Sequence, residues 1–357
     1  MNRYSQDMAQ NDRSALSRRD VSRRDVLKGI AAAAAGVMLP ASALVAQNAR
    51  TTPGPIDMHQ HIGGAGGLGG DWSVQKVQDL MGKNGISAVI FSNAGSGDQL
   101  YTGTESGSTF ARKWNENAAK IVSDHPKIFG FFAAIPFPDA DGSLKEIAYA
   151  YDTLKADGIG ILSSIGDKYP GDALFRPPWE EMNRRKAITF THPFVPKCCL
   201  TLFPAARDSV ERDFDTTRAF TNLLYSGTLA ELPDIRYIVN HSGATLPVLA
   251  GRIKDRVPGA ASTGGKPPTD GISPKTPKGV FYEYQKLYYE CAHAAYAAPM
   301  AALLAFVPKS QLLFGTDYPA EDPSSTLLEL KRRNLPPDVL RALYRENAER
   351  LFPRFKA

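Results

Sequence analysis

The sequence predicts a closed parallel (β/α)8 barrel, and three observations support that fold class. Eight apolar, β-rich runs recur along the chain between Ile56 and Phe314. Most of these runs precede a stretch with helical periodicity, which is the pattern of parallel strands joined by helical crossovers. Polar side chains stand at the ends of several runs, where a barrel of this type carries its active site.

The predicted strands and helices alternate from residue 56 onward. The strands are predicted at Ile56–Ile62, Ile86–Ser92, Ile128–Ile135, Gly158–Ile165, Ala187–His192, Arg236–His241, Lys286–Ala292 and Gln311–Phe314. Helices are predicted at Ser73–Lys83, Ser108–Ser123, Ser143–Ala156, Thr216–Glu231, Pro299–Phe306 and Pro336–Arg350. The long stretch Val257–Val280 is rich in Pro, Gly, Thr and Lys, and we interpret it either as an active-site cover or as disorder.

The N-terminal segment has the features of an export signal. Ser22–Lys28 reads Ser-Arg-Arg-Asp-Val-Leu-Lys and resembles the twin-arginine motif. An alanine-rich apolar run follows it and is too short to span a bilayer, and the small residues that come next predict cleavage near Ala43 or Ala46. We therefore expect residues 1–46 to be a signal peptide with a short linker, and residues 47–357 to be a single barrel domain. The resemblance implies a periplasmic protein with no membrane segment in its mature form.

Charge and cysteine content exclude two classes of protein. The formal net charge is +5, and +3 of it lies in Met1–Ala46, so the remaining chain is close to neutral. A nucleic-acid partner is therefore not expected. The chain has three cysteines, Cys198, Cys199 and Cys291, and an odd number with two adjacent members does not make a disulfide framework.

The first predicted strand carries the motif Asp-Met-His-Gln-His. Side chains alternate along a strand, so we expect Asp57, His59 and His61 on one face, with Met58 and Gln60 on the other. Two imidazoles spaced in this way can bring their nitrogens to about 2 Å from one metal ion. The glycine-rich run 63–67 follows and can turn without crowding that ion.

Four further polar side chains stand at predicted strand ends. His192 ends the fifth strand, His241 the sixth and His293 the seventh, while Asp317 follows the eighth. These ends share one rim of a barrel, and burying such groups without partners is costly. Binding a metal ion would give these buried groups a partner, so the pattern predicts a metal site. His125 precedes the third strand and is expected on the opposite, structural face.

Several motifs beyond the histidines resemble one protein family. The chain is similar to the amidohydrolase superfamily, in the branch typified by aminocarboxymuconate semialdehyde decarboxylase, from about Pro55 onward. Within that branch it looks nearest to the 6-methylsalicylate decarboxylase-like proteins. The motifs that carry this resemblance are Asp157–Leu162, Gly166–Tyr169, Arg184–Ala187, Asp215–Phe220 and Leu313–Pro319.

The resemblance implies a role for each candidate residue. His59, His61, His192 and Asp317 would bind the metal. His241 would be the acid/base group, with Asp317 also taking part in catalysis. Nitrogen and oxygen ligands without a thiolate suit Zn²⁺, with Mn²⁺ as the alternative.

The remaining features are predicted as follows. The resemblance also implies a single metal ion, because two-metal members of the superfamily bridge their ions with a carbamylated lysine on the fourth strand. Here that strand has no lysine, and Lys168 comes only after it. Asp57 is expected to form a hydrogen bond to a ligand histidine or to the barrel floor rather than to the ion. His293 would contact substrate or be a satisfied, partly exposed histidine. Arg252 matches a family arginine that reaches into a neighbouring subunit of a homodimer to hold the substrate carboxylate, and its alternative is a surface charge.

Three functions fit this site. The first is non-oxidative decarboxylation of an aromatic or conjugated carboxylic acid of the 6-methylsalicylate type, in which Asp317 or a water molecule tuned by His241 carries the proton. The second is metal-dependent hydrolysis of a lactone, ester or amide, in which His241 and Asp317 activate a water molecule. The third is a periplasmic barrel that binds metal or ligand without catalysis.

Overall fold

The computed structural model describes residues 53–63, 70–93, 100, 103–196, 199, 204–260 and 270–356. The predicted signal peptide with its cleavage sites, Cys198, and most of the glycine-rich run after β1 lie outside these ranges, so those predictions are not addressed by the structure. Among the helices in these ranges, none combines the length and the apolar character needed to cross a lipid bilayer.

Eight parallel strands pair in sequence order and form a barrel. They are β1 (Ile56–His61), β2 (Ala88–Ser92), β3 (Phe129–Ala134), β4 (Gly158–Leu162), β5 (Ile188–His192), β6 (Arg236–Val239), β7 (Tyr288–Glu290) and β8 (Leu312–Leu313). The last strand returns to the first, because Met58 N donates to Phe314 O over 2.9 Å and His61 N donates to Tyr318 O over 2.8 Å. The predicted (β/α)8 barrel is confirmed, and every strand lies within its predicted bounds.

Helices connect the strands on the outside of the barrel. They are α1 (Val74–Asn84), α2 (Glu105–Asp124), α3 (Ala140–Asp152), α4 (Arg176–Arg184), α5 (Arg212–Tyr225), α6 (Thr228–Glu231), α7 (Leu246–Lys254), α8 (Val280–Gln285), α9 (Ala297–Phe306), α10 (Pro323–Arg333), α11 (Pro337–Arg341) and α12 (Asn347–Leu351). The predicted helix Thr216–Glu231 is divided into α5 and α6, because Gly227 adopts φ = 87° and ends the helical path. Helices α4, α7, α8 and α10 fall outside the predicted set.

Two apolar layers lie on either side of the sheet. The larger one joins alternate strand residues such as Val89 and Phe131 to helix residues such as Val77 and Phe220. The smaller one takes the opposite positions of the strands, including Phe190, together with residues of the C-terminal segment. It therefore fills the barrel interior beneath the carboxyl ends of the strands.

The first strand does not alternate as the sequence predicts. The pairing register of β1 with β2 shifts between Asp57 and Gln60, which marks an extra residue in the strand. As a result Gln60 Nε2 donates to Asp57 Oδ2 over 2.7 Å, while the ring of His59 contacts Phe190 inside the barrel. The prediction that Asp57 shares a face with the two histidines is wrong, because the bulge breaks the two-residue period.

The stretch Val257–Val280 is not an active-site cover in its described part. Lys275 Nζ forms an ion pair with Glu231 Oε1 of α6 at 2.7 Å, near the beginning of β6. That position is on the opposite face of the barrel from the strand ends. The reason is topological, because this segment follows a helix, and only the connections that follow strands emerge at the catalytic rim. Residues 261–269 lie outside the described ranges.

Candidate metal centre

Four side chains from three distant segments converge at the carboxyl ends of the strands. His59 and His61 come from β1, His192 ends β5, and Asp317 follows β8. Each offers one ligand atom, and these atoms all lie within 4.8 Å of one another. All four residues are buried. The structure thus brings together the residues that the family resemblance implies as ligands.

The hydrogen bonds of two histidines fix which ring nitrogen faces the centre. His59 Nδ1 donates to Glu290 Oε1 over 2.9 Å, and His61 Nδ1 donates to the Ser92 carbonyl oxygen over 2.9 Å. When both rings are neutral, as ligands of a cation, their Nε2 atoms are acceptors, and these atoms face each other at 3.2 Å. Asp317 Oδ1 lies 3.2 Å from the first and 2.8 Å from the second. Three acceptor atoms meet at one point.

A divalent cation fits this arrangement. Two ligand atoms on a tetrahedral ion with bond lengths of about 2.0–2.1 Å are separated by about 3.3 Å, close to the distances found here. The His192 ring adds a fourth ligand atom, and its Nδ1 is buried without a hydrogen-bond partner. Three imidazole nitrogens and one carboxylate oxygen form a donor set typical of first-row divalent metals.

The charges of the centre are mutually dependent. Burial lowers the pKa of His59, but the charges of Asp317 and Glu290 outweigh it and raise the pKa to about 10. Burial raises the pKa of Asp317, yet the surrounding histidines, His59 foremost, hold it well below its usual value. Burial, with the charges of the neighbouring histidines, depresses the pKa of His192, so this ring is neutral and suited to ligation. A cation at the centre would take the place of the proton that the carboxylates hold on His59.

His241 lies beside the four-residue cluster with one nitrogen free of hydrogen bonds. Its Nδ1 forms a hydrogen bond with Asp213 Oδ1 at 3.0 Å, and its Nε2 lies 3.7 Å from Asp317 Oδ2. The Nε2 atom is buried without a hydrogen-bond partner. Asp213 is in contact with solvent, because 44% of its side chain is exposed. His241 therefore joins the buried carboxylate to a carboxylate in contact with solvent.

His293 is held between two carboxylates. Its Nε2 lies 3.0 Å from Asp317 Oδ2, and its Nδ1 lies 3.0 Å from Glu321 Oε2. A ring that contacts an acceptor at both nitrogens is favoured as the imidazolium. Burial lowers the pKa of His293, but Asp317 and Glu321 outweigh it and raise the pKa to about 10. The exposed 38% of this side chain places a positive charge at the mouth of the site.

The backbone at the rim is strained at the residues that carry the chemistry. His241, His293 and Asp317 have φ values of 50°, 53° and 62°, in the left-handed region. Such conformations cost non-glycine residues roughly 1–3 kcal/mol each and cluster at functional sites. The strain turns each chain segment sharply at the end of its strand and directs these side chains toward one point.

Asp57 lies outside the candidate metal centre. Its Oδ1 accepts hydrogen bonds from the backbone N–H groups of His59 and Thr316, both at 3.1 Å, and its Oδ2 accepts from Thr316 Oγ1 at 2.6 Å. The predicted hydrogen bond to a ligand histidine is thus made to its backbone and not to its ring. Asp57 ties β1 to the segment that carries Asp317.

Three other predicted positions lie away from the centre. Arg252 is exposed on α7, and among the described residues no hydrogen bond or ion pair connects it to the centre. Lys168 forms an ion pair with Asp172 at 3.2 Å, beyond the end of β4. His125 precedes β3 at the other end of the barrel, where its Nδ1 lies 3.4 Å from Gln78 Nε2.

Sequence analysis missed four groups that contact these histidines, namely Glu290, Asp213, Glu321 and the carbonyl group of Ser92. Glu290 could have been found, because a carboxylate in an apolar strand needs a buried partner. Asp213 gave no such signal, since it lies in a polar helical stretch and meets His241 only in the folded chain. Ser92 accepts the hydrogen bond of His61 Nδ1 through its backbone carbonyl oxygen. Every residue has this group, so the type of residue at position 92 gave no signal.

The chain belongs to the amidohydrolase family. The Amidohydrolase family model matches residues 56–354, and a model of the twin-arginine translocation signal matches residues 20–40. Both matches confirm the resemblances found in the sequence.

The relatives define the branch more closely. The chain is 31% identical over 295 residues to 6-methylsalicylic acid decarboxylase from Penicillium expansum, covering 80% of this chain and 87% of that protein. Among solved structures, it resembles 5-carboxyvanillate decarboxylase from Sphingomonas paucimobilis at 18% identity, with a TM-score of 0.72 over 85% of this chain and 99% of the other. It also resembles a dihydroxybenzoic acid decarboxylase from Polaromonas sp. JS666 with bound manganese, at 19% identity and a TM-score of 0.73, over 86% and 98% of the two chains.

We predict that the purified protein binds one divalent metal ion per chain. A second ion is not expected because β4 carries no lysine to bridge two ions, and Lys168 beyond it is paired with Asp172. Metal analysis of the wild-type chain should give about one equivalent, and His192→Ala should bind far less. His125→Asn, which alters a histidine at the opposite face, should retain the full equivalent. Two equivalents in the active protein would contradict the prediction.

Proposed function

We propose that the protein is a metal-dependent, non-oxidative decarboxylase of an aromatic carboxylic acid of the 6-methylsalicylate type. The observation that carries the proposal is the meeting of His59 Nε2, His61 Nε2 and Asp317 Oδ1 beside the unpaired Nε2 of His241. The name of the Penicillium expansum relative supplies the substrate class.

We infer that His59, His61, His192 and Asp317 hold one divalent ion, Zn²⁺ in the first place. Three imidazoles favour zinc over manganese on donor preference, while the manganese in the Polaromonas structure keeps Mn²⁺ as the alternative. When bound, such an ion supplies Lewis acidity, which draws electron density from a substrate carboxylate and its ortho oxygen.

His241 is the residue we assign to proton transfer. Loss of CO₂ from a ring carbon requires a proton at that carbon. With Nδ1 held by Asp213, the Nε2 atom of His241 is left to hold and deliver the proton. Asp317 Oδ2 lies 3.7 Å away, so a proton would pass between this oxygen and the ring through one water molecule or after a small approach, and Asp213 links the ring to solvent. Asp317 or a water molecule would then carry the proton from the His241 ring to the substrate carbon.

His293 is assigned to substrate orientation. Its imidazolium holds Asp317 Oδ2 at 3.0 Å, while the other carboxylate oxygen of Asp317, Oδ1, faces His61 at 2.8 Å. The exposed part of the same ring presents positive charge toward the entrance. An anionic aromatic acid that enters the site would be attracted and turned carboxylate-first.

We also propose a homodimer in which Arg252 of one chain completes the site of another. Arg252 is exposed on α7, and Val248, one turn earlier on the same helix face, is 71% exposed. An apolar residue beside an unpaired guanidinium is suited to a contact between subunits. Bidentate guanidinium–carboxylate pairing would then hold the substrate.

The decarboxylase assignment predicts CO₂ release by the signal-free, metal-loaded protein from 6-methylsalicylate or a related 2-hydroxy acid. His241→Asn should lower kcat by about 10²–10⁴-fold, the usual contribution of a general acid–base group, without loss of metal. His125→Asn is the matched control and should keep wild-type kcat. Hydrolysis of a panel of lactones, esters or amides without CO₂ release would indicate the hydrolase instead. Metal binding without turnover in either assay would indicate a binding protein.

The dimer proposal predicts two chains per particle in light scattering and a catalytic role for Arg252 across the interface. Arg252→Ala should raise KM by about 10–100-fold, as expected for loss of a hydrogen bond to a charged group, while Arg256→Ala, also exposed, should not. Mixing inactive His241→Asn chains with Arg252→Ala chains should restore part of the activity, because each mixed dimer then contains one complete site. A fully active monomer would refute the proposal.

We propose that the protein is exported to the periplasm by the twin-arginine pathway. The signal match over residues 20–40 supports export, and folding before transport would let the chain acquire its metal first. Intact mass of periplasmic material should show cleavage near Ala43 or Ala46. Replacing Arg23 and Arg24 by lysine should retain the precursor in the cytoplasm. Arg18 and Arg19 form a second arginine pair upstream of the motif, and replacing them by lysine should not block export. Periplasmic protein that retains Met1 would contradict cleavage.

A further inference from the structure

Glu290, at the end of β7, contacts both functional halves of the site. Its side chain is completely buried. Oε1 accepts two hydrogen bonds, one from His59 Nδ1 and one from the backbone N–H of His241, each at 2.9 Å. Oε2 accepts a third from the backbone N–H of Ala292 at 2.7 Å. One carboxylate therefore holds a predicted metal ligand and the predicted acid/base residue at once.

Only an ionised carboxylate satisfies these three donors. A glutamine at position 290 has one acceptor oxygen, and its amide nitrogen is a donor. With that oxygen toward His59 and His241, the NH₂ group would face the Ala292 N–H across a hydrogen-bond distance. The opposite orientation would set it against two donors. Leaving buried donors unpaired is costly, so the hydrogen bonds at this position favour a carboxylate over an amide.

The neighbouring strand end is shaped around this carboxylate. Gly315 follows β8, and a Cβ atom at that position would lie 2.1 Å from Glu290 Oε2 and 3.0 Å from His59 Cβ. Any larger residue would have to displace one of these groups. A glycine at position 315 lets the carboxylate reach His59 and His241 together.

We propose that Glu290 is a positioning residue that sets the metal affinity through His59 and the placement of His241 through its backbone. The proposal rests on the metal centre of the proposed function. Its carboxylate keeps the proton of His59 on Nδ1 and the lone pair of Nε2 toward the centre, and it increases the basicity of the ligand ring. It also anchors the strained turn at His241, whose φ is 50°.

The first test measures Zn²⁺ affinity by competition with a chromophoric chelator. Glu290→Gln should weaken binding by about 10–100-fold, the usual effect of removing such an outer partner. Gly315→Ala keeps the charge but displaces the carboxylate, so it should weaken binding in the same direction and provides a second variant if Glu290→Gln does not fold. The matched control is Glu146→Gln. Glu146 is another buried glutamate, it lies on α3 and it accepts a hydrogen bond from Asn115 at 2.7 Å. Its replacement should leave the Zn²⁺ affinity unchanged.

The second test measures kcat with every variant saturated with metal. A lower kcat for Glu290→Gln at unchanged KM supports the role in placing His241, and a wild-type kcat overturns that part. Zn²⁺ affinities of both site variants within twofold of wild type, or an equal loss in Glu146→Gln, would overturn the role at His59. These results are separable from the proposed function, because metal affinity can be measured in a protein that releases no CO₂. A wild-type chain that binds no metal would instead overturn the proposed centre itself.

Discussion

The structure depends on one electrostatic constraint, the meeting of acceptor atoms at the carboxyl ends of the strands. His59 Nε2, His61 Nε2 and Asp317 Oδ1 lie 2.8–3.2 Å apart in a buried site, and each Nδ1 donor is already used. Buried lone pairs at these distances require positive charge between them. A divalent ion would supply that charge, and the protein already provides suitable ligand geometry.

The surrounding fold serves this constraint at three levels. The parallel barrel delivers strand ends that are distant in sequence to one rim. Left-handed φ values at His241, His293 and Asp317 then turn the chain at that rim so that the side chains converge. Finally, the carboxylates of Glu290, Asp213 and Glu321 each contact one ring nitrogen and orient a histidine.

The sequence was sufficient to predict the barrel and the convergence of its polar strand ends, because both follow from periodicity and order along the chain. It could not predict the bulge that moves Asp57 away from the face of His59, since a one-residue shift in pairing has no signature in composition. The predicted active-site cover was also wrong for the described part of Val257–Val280. Length suggested a cover, but the position after a helix directs that segment to the opposite face. Contacts such as Asp213 with His241 depend on tertiary packing and were invisible.

Family membership and site geometry support each other at different depths. The match over residues 56–354 defines the family, and the relative at 31% identity indicates aromatic acid decarboxylation. The geometry adds assignments that a resemblance alone does not give, namely that Nε2 of His59 and of His61 faces the centre while Glu290 and the Ser92 carbonyl oxygen hold the two Nδ1 atoms. These assignments can be tested without knowing the substrate.

The most direct test is anomalous X-ray scattering from crystals of the zinc-loaded protein at the zinc absorption edge. The account predicts one strong peak per chain, about 2.0–2.2 Å from His59 Nε2, His61 Nε2, a His192 nitrogen and a carboxylate oxygen of Asp317. A peak bound by other residues, or no peak at this rim in zinc-loaded crystals, would contradict it.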